Sequence, residues 1–226
     1  AKPAISCERA WLWTESHKKT EGLPVCIRRA RAFYDCCDQL TVHIFEGELV
    51  VGAIGEHRKC GILTPEFSWL WVDKEMDTFS SRPQDPYEMT DEQRKFMREK
   101  IFPYWKDKSL EEAFLKRVPE DTKKIGVDTG IIDNDSKWRQ AVGEITPDYQ
   151  DVLFKKGFGG LIREAEEHIA QLDLANPEDE DKRDFYESTI WTSKGIIRYA
   201  NRYADEAERL AAEEKDPKRA EELRVI

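Results

Sequence analysis

Between Phe185 and Ala211 the chain holds one spacing for about seven helical turns. Phe185, Thr189, Ser193, Ile196, Ala200, Tyr203, Ala207 and Leu210 fall on one stripe, flanked by Ile190, Ile197, Ala204 and Ala211. A 3–4 repeat kept this long has one regular solution, an amphipathic helix with a face wide enough to meet a large core. The spacing predicts a helix from about Asp184 to Glu214, after an acidic break at Asn176-Pro177-Glu178-Asp179-Glu180-Asp181. Asp216-Pro217 interrupts it, and a further helix starts at about Lys218. Leu223, Val225 and Ile226 are left without apolar partners, which points to a fragment.

The rest of the pattern is also helical. Residues 4–19 read as a helix with Ser6 as N-cap, broken by Gly22-Leu23-Pro24; residues 24–38 carry Val25, Ala30, Phe33 and Cys37 at helical spacing. Thr41-Val42-His43-Ile44 and Leu49-Val50-Val51-Gly52 read as two short strands joined by a Glu46-Gly47 turn. Pro65 to Asp77 begins extended and turns helical through Trp69-Leu70-Trp71. Thr90 and Gln93 form a capping box for a helix that stops at Phe102, before Pro103. Ser109 caps a helix to Lys116, and 126–137 reads as loop. A helical stretch over 149–173 includes Gly157-Phe158-Gly159-Gly160 and a stripe of Leu161, Ala165, His168, Ile169 and Leu172. The sum is mainly α with one small β-hairpin, with a sub-boundary expected near 120–147.

Charge narrows the function classes. Lys and Arg number 36 against 46 Asp and Glu, a net charge of −10. That disfavours nucleic acid and anionic membrane surfaces, both of which require basic neutralisation. No apolar run approaches a membrane span, and no signal-peptide pattern opens the chain. The composition is polar, with 39 % hydrophobic and 36 % charged residues, yet it holds seven Trp, ten Phe and seven Tyr. Such a chain buries a core in patches or packs as a layer on something larger. Five cysteines, an odd number, fit reduced thiols in a cytosol, with Cys36-Cys37 as two buried thiols. No C-x-x-C pair or His partner stands at metal-ligand spacing, so no metal is expected.

Several ordered strings carry a resemblance. They are Glu8-Arg9-Ala10, Thr14-Glu15-Ser16, Thr20-Glu21-Gly22-Leu23-Pro24, Arg28-Arg29-Ala30-Arg31-Ala32, Gly47-Glu48-Leu49-Val50-Val51-Gly52 and Thr64-Pro65-Glu66-Phe67-Ser68-Trp69. The chain resembles the opening of a glycyl radical enzyme of the pyruvate formate-lyase family, in the eliminase branch of glycerol and propanediol dehydratases, choline trimethylamine-lyase and isethionate sulfite-lyase. Residues 1–226 would then be the N-terminal helical part of such a protein, wrapping a ten-stranded α/β barrel built later. The resemblance implies thiyl-radical hydrogen abstraction from a small hydroxylated substrate, then elimination across a C–O, C–N or C–S bond. It further implies a glycyl radical outside this chain, a radical S-adenosylmethionine activating enzyme, a homodimer, and an anaerobic cytoplasmic location, free or within a bacterial microcompartment. The catalytic Cys-x-Glu and the Arg-Val-x-Gly-Tyr radical loop of the family are not found among the 226 residues.

One stretch aligns with a substrate-contact segment of that family: Val142-Gly143-Glu144-Ile145-Thr146-Pro147-Asp148-Tyr149, followed by Lys156-Gly157-Phe158. Glu144 falls on the contact position, where the diol dehydratases carry histidine and choline lyase aspartate. A carboxylate accepts hydrogen bonds and suits a hydroxyl donor or a cationic head, but repels a sulfonate unless a base such as Arg139 intervenes. Trp138 could give an aromatic face to a quaternary ammonium. Against this, a Glu between a Gly and a helix is more often a solvated first-turn residue placed in the helix dipole. His168 reads as packed, and Trp69, Trp71 and Trp191 as core. Arg28, Arg29 and Arg31 read as partners for the excess acids. Gly157-Phe158-Gly159-Gly160 lacks the Gly-Lys-Ser/Thr of a phosphate loop. The contrasting reading is a non-catalytic helical binding or scaffold module, or a split subunit, docking through the 185–211 stripe and residues 223–226.

Overall fold

A computed structural model describes residues 3–131 and 148–226. The chain divides into two compact units, Ala1–Trp11 with Gly61–Ile145, and Leu12–Cys60 with Thr146–Ile226. Both are mainly helical.

In the first unit, β1 (Ala4–Ser6) pairs with β2 (Cys60–Ile62). Ile5 also donates to Glu88 O at 2.8 Å, and Glu88 donates back to Pro3 O at 2.8 Å. Gly61 is required where the strands meet. A Cβ there would sit 2.6 Å from Tyr87 Cε1, far inside contact distance. The strands are therefore 4–6 and 60–62, and residues 41–52, expected as a hairpin, contain none. The apolar strings at 41–44 and 49–52 have strand propensity, but a strand also needs a partner for its backbone groups.

α1 (Glu8–Lys19) begins four residues later than expected, because residues 4–6 are strand. α3 (Pro65–Glu75) is two pieces joined at Ser68, whose backbone is non-helical at φ −157 and ψ 96. Ser68 Oγ accepts from Trp71 N at 3.1 Å, so it caps the second piece. A 3₁₀ turn, Met76–Ser81, follows. α4 (Asp91–Phe96) starts at the expected Thr90–Gln93 capping box. Its course does not stop before Pro103. A π turn over Met97–Ile101 leads directly into α5 (Phe102–Trp105). Phe102 donates to Met97 O, five residues back, a wider turn that makes room for the proline ring. α6 (Leu110–Leu115) has its own capping box from Ser109 and Glu112, and α7 (Glu120–Thr122) is one short turn. Phe79, Met76, Met97, Ile101 and Val72 are the largest fully buried side chains of this unit among the described residues.

The second unit is built around one long helix, Pro177–Glu213. α2 (Val25–Gln39) and α8 (Gly157–Ile169) pack on α9 (Pro177–Glu213), with α10 (Pro217–Val225) after it. α9 has 37 residues and is about 55 Å long. It starts seven residues earlier than the periodicity indicates. Asn176 accepts from Glu178 N, Pro177 takes the first helical position, and Glu178, Asp179 and Glu180 fill the first turn. The acidic string is thus a helix start stabilised by the macrodipole, not a break.

The buried line on α9 runs through Ile190, Ser193, Gly195, Tyr203, Ala207 and Ala211. Ala200 and Ala204 of the expected stripe face solvent, and Phe185 is exposed. Gly195 lets α2 approach closely, since a Cβ there would lie 3.2 Å from Tyr34 Cα and from Phe33 Cδ1. Leu223, expected without an apolar partner, is buried on α10, while Val225 is exposed.

Candidate functional site

Trp138, Arg139 and Glu144 lie outside the described residues. The segment that follows them is well defined. Asp148 accepts from Asp151 N at 2.9 Å and opens a π turn over Tyr149–Phe154, in which Leu153 donates to Asp148 O. Tyr149 and Phe154 are both exposed, with ring centroids 6.4 Å apart. Gly157, at φ +63, takes the left-handed position from which α8 departs. Lys156 Nζ binds Glu164 at 2.7 Å, and this holds the Glu164 carboxyl below the usual range. The Lys156-Gly157-Phe158 string is therefore a turn into a helix, with a bound rather than a free lysine.

The resemblance-bearing strings near the N-terminus are structural. Arg9 Nη1 and Nη2 meet Glu66 Oε2 and Oε1 at 2.9 and 2.5 Å, both side chains largely buried. This two-pronged pair ties the Glu8-Arg9-Ala10 string to the Thr64-Pro65-Glu66 string. Gln93 Nε2 adds a bond to Ile5 O at 2.8 Å. Glu112 gathers Ser109 Oγ at 2.6 Å, Trp69 Nε1 at 3.0 Å and Asp107 N at 3.0 Å, and Ser68 donates to the adjacent Glu111. Trp69 and Trp71 are half-buried, each using its indole N–H on a glutamate, whereas Trp13 and Trp105 are the buried tryptophans. In the second unit, Thr14, Ser16 and Thr20 are buried along α1, and Thr20 Oγ1 donates to Ser16 O.

Cys36 and Cys37 are buried, as the sequence suggests. Burial pushes the Cys37 thiol up to about 11, against the opposing charge of Arg202, so it stays protonated at neutral pH and is a poor nucleophile. Tyr199 is also pushed up, chiefly by burial and then by its hydrogen bond to Tyr203. Both hydroxyls donate to Ala53 O. In the tri-arginine string, Arg28 donates to His17 O, and Arg31 lies 3.8 Å over the Trp191 ring. His168 is exposed rather than packed in a core, stacked on Tyr186 at 5.0 Å. Among the described residues, no group of three His, Cys, Asp or Glu could hold a metal ion, and no helix is long and apolar enough to cross a membrane.

One cleft escaped the sequence reading. Ile44–Gly47 form one wall, and the α9–α10 junction, with Leu210, Glu213, Lys215, Arg219 and Glu222, forms the other. It encloses about 660 Å³. No motif marks it, because it arises where a loop lies beside a helix corner.

Comparison with known proteins identifies the scaffold. The pyruvate formate lyase-like family model matches residues 1–226. This chain belongs to that family. An isethionate sulfite-lyase of Bilophila wadsworthia is 36 % identical across 98 % of the chain, which spans 28 % of that lyase. A solved structure concerning 1,2-propanediol dehydration in Roseburia inulinivorans superposes with a TM-score of 0.92 at 31 % identity, covering 99 % of this chain and 26 % of that one. The glycerol-bound B12-independent glycerol dehydratase of Clostridium butyricum gives 0.89 at 32 % identity, covering 99 % and 28 %. The chain thus spans little more than a quarter of the length of these relatives, and the pyruvate formate lyase-like fold it shares with them is the helical part described above.

Proposed function

We propose that this chain is the N-terminal portion of a glycyl radical lyase or dehydratase that eliminates a leaving group from a small hydroxylated substrate. The observation that carries the reading is the 36 % identity to isethionate sulfite-lyase over nearly the whole chain, joined to a TM-score of 0.92 with a protein of propanediol dehydration. The glycyl radical, held outside these residues, would supply the unpaired electron that opens the reaction.

The contribution of this chain is substrate recognition. Glu144 would accept the hydrogen bond of the substrate hydroxyl, and the π turn at Tyr149–Phe154, begun by Asp148, would fix the end of the segment that bears it. Arg139 would offset the carboxylate if the leaving group is a sulfonate, because a bare carboxylate repels that anion. Trp138 would offer its ring to a cationic or apolar part of the substrate. The radical is installed by a radical S-adenosylmethionine activating enzyme, and the protein works as an anaerobic cytoplasmic homodimer, within a microcompartment where one is present.

The test is anaerobic activation of the intact protein, detection of the glycyl radical by electron paramagnetic resonance, and assay against isethionate, 1,2-propanediol, glycerol and choline. Elimination from at least one supports the reading. A full radical signal with no elimination from any of them rejects it. Glu144→Gln should raise KM for the substrate that reacts. Arg139→Met should do so for isethionate and leave a diol unaffected.

A further inference from the structure

Residues 41–59 form a stretch without helix or strand, longer than the roughly 12–15 residues at which unstructured loops become uncommon. Apart from Gly55, none of these residues is buried. Leu49 and Val50 are 62 and 89 % exposed. The segment is held by side chains of α9 and α10 that reach its backbone carbonyls and those just before it, and by two latches on the segment itself. At its entry, Arg202 donates to Cys37 O at 2.8 Å and to Leu40 O at 2.6 Å. At its turn, Arg219 donates to Glu48 O at 2.8 Å and Phe45 O at 3.4 Å, and Glu48 accepts from Phe45 N. Near its exit, Tyr199 and Tyr203 donate to Ala53 O at 2.9 and 3.0 Å. Arg58 donates to Glu46 O, closing the segment on itself.

We propose that residues 41–59 are a side-chain-latched strap that opens as one local unit, with Arg219 as its central latch, while α2 and α9 stay folded. Apolar burial couples a segment to global unfolding, and here that burial is slight. A few hydrogen bonds to carbonyls, those of Arg219 charge-assisted and largely shielded from water, set the free energy of opening instead. Ile44–Gly47 of the strap wall the cleft at the α9–α10 junction, and Arg219 lines both. Opening therefore uncovers the cleft and leaves the guanidinium held by Glu222 of its own helix, at 3.1 Å, in one movement. The proposal is independent of the radical chemistry.

Hydrogen exchange of the intact protein, resolved by peptide, tests it. In Arg219→Ala the amides of 41–59 should exchange about tenfold faster or more, with α2 and α9 unchanged. Arg219→Lys keeps the charge and the stem but loses the fork, and should accelerate the same peptide by a smaller factor; it also serves if the alanine variant does not fold. Tyr199→Phe should accelerate the whole of 41–59, the Phe45–Glu48 turn included, by a smaller factor, because Tyr203 still reaches Ala53 O. Unchanged exchange over 41–59 in the arginine variants would overturn the proposal. So would acceleration that spreads equally into α9, because the strap would then not be a separate unit.

Discussion

Glu66→Ala is the sharpest perturbation of the first unit. Arg9 and Glu66 meet in two bonds of 2.9 and 2.5 Å, with side chains 13 and 7 % exposed. At about 4 Å between charge centres and an effective dielectric of about 20, their attraction is roughly 4 kcal/mol. The desolvation of two ions returns much of that, so the net worth of the intact pair is small. Removing one partner is different, because a largely buried guanidinium then loses the carboxylate it forks onto. Glu66→Ala should cost about 3–5 kcal/mol, and the double change Arg9→Met with Glu66→Leu, which removes both charges and keeps the volume, should stay within about 1 kcal/mol of wild type. The assay is urea unfolding read through hydrogen exchange of α3 and α4 peptides, which reports this unit alone. With a slope of about 2 kcal/mol/M, the single variant should lose roughly 1.5–2.5 M in midpoint. A double variant as unstable as the single one would refute the reasoning, since the cost would then lie in lost packing, not in a stranded charge.

Gly195→Ala removes a glycine from a helix interior, which alone should stabilise by about 1 kcal/mol. The new Cβ would meet Tyr34 Cα and Phe33 Cδ1 at 3.2 Å, and a backbone atom yields little. The net should be a loss of roughly 1–2 kcal/mol, seen as a lower Tm; an unchanged or raised Tm would mean that α2 and α9 can separate freely. Iodoacetamide at pH 8 should label exposed Cys26 at least about a hundredfold faster than Cys37, whose thiolate is scarce at that pH. The folded-state pKa of Cys37 is raised, so the stability it contributes is complete below about 9 and is lost as pH rises from 9 towards 11, where the unfolded thiol ionises first. Cys37→Ala should flatten that part of the pH profile, and a profile unchanged by the substitution would assign the alkaline loss to other groups.

The helical repeat at 185–211 was legible because periodicity over seven turns outweighs local exceptions, yet two kinds of information were not in it. The first was punctuation. Asn176-Pro177-Glu178-Asp179-Glu180 has every mark of a helix start, an N-cap, a proline at N1 and acids in the first turn, but taken as charge it looks like an interruption. Pro103 misled in the opposite sense, because a π turn carries the chain past it. The second was partnership. Residues 41–52 have the composition of strands but no neighbouring strand, while Ala-Ile-Ser at 4–6 pairs with β2 and is too short to register as periodic. The strings that identify the family proved to be a frame of capped turns and a buried ion pair, so the family could be recognised without its chemistry being visible. Glu144, Arg139 and Trp138 rest on alignment and not on a structural constraint of their own.

The two units reach burial by different means, and this decides which substitutions each tolerates. The first fills its interior with Phe79, Met76, Met97, Ile101 and Phe102, large side chains that leave large voids when cut. The second buries large side chains too, Trp13, Ile27, Ile190, Tyr203 and Leu223, but adds many small buried residues, among them Ala30, Ala32, Ala165, Ala207 and Ala211, and brings backbones close at Gly195. Small residues at a helix contact have little volume to lose, but an added methylene must push a neighbouring helix. Large-to-small changes should therefore be costly in the first unit and at Trp13, Ile27, Ile190, Tyr203 and Leu223 of the second, whereas small-to-large changes should be costly chiefly at the second unit's small residues. Where burial is small in both senses, as in residues 41–59, polar latches take over the work that packing does elsewhere, and the segment they hold should open while α2 and α9 stay folded.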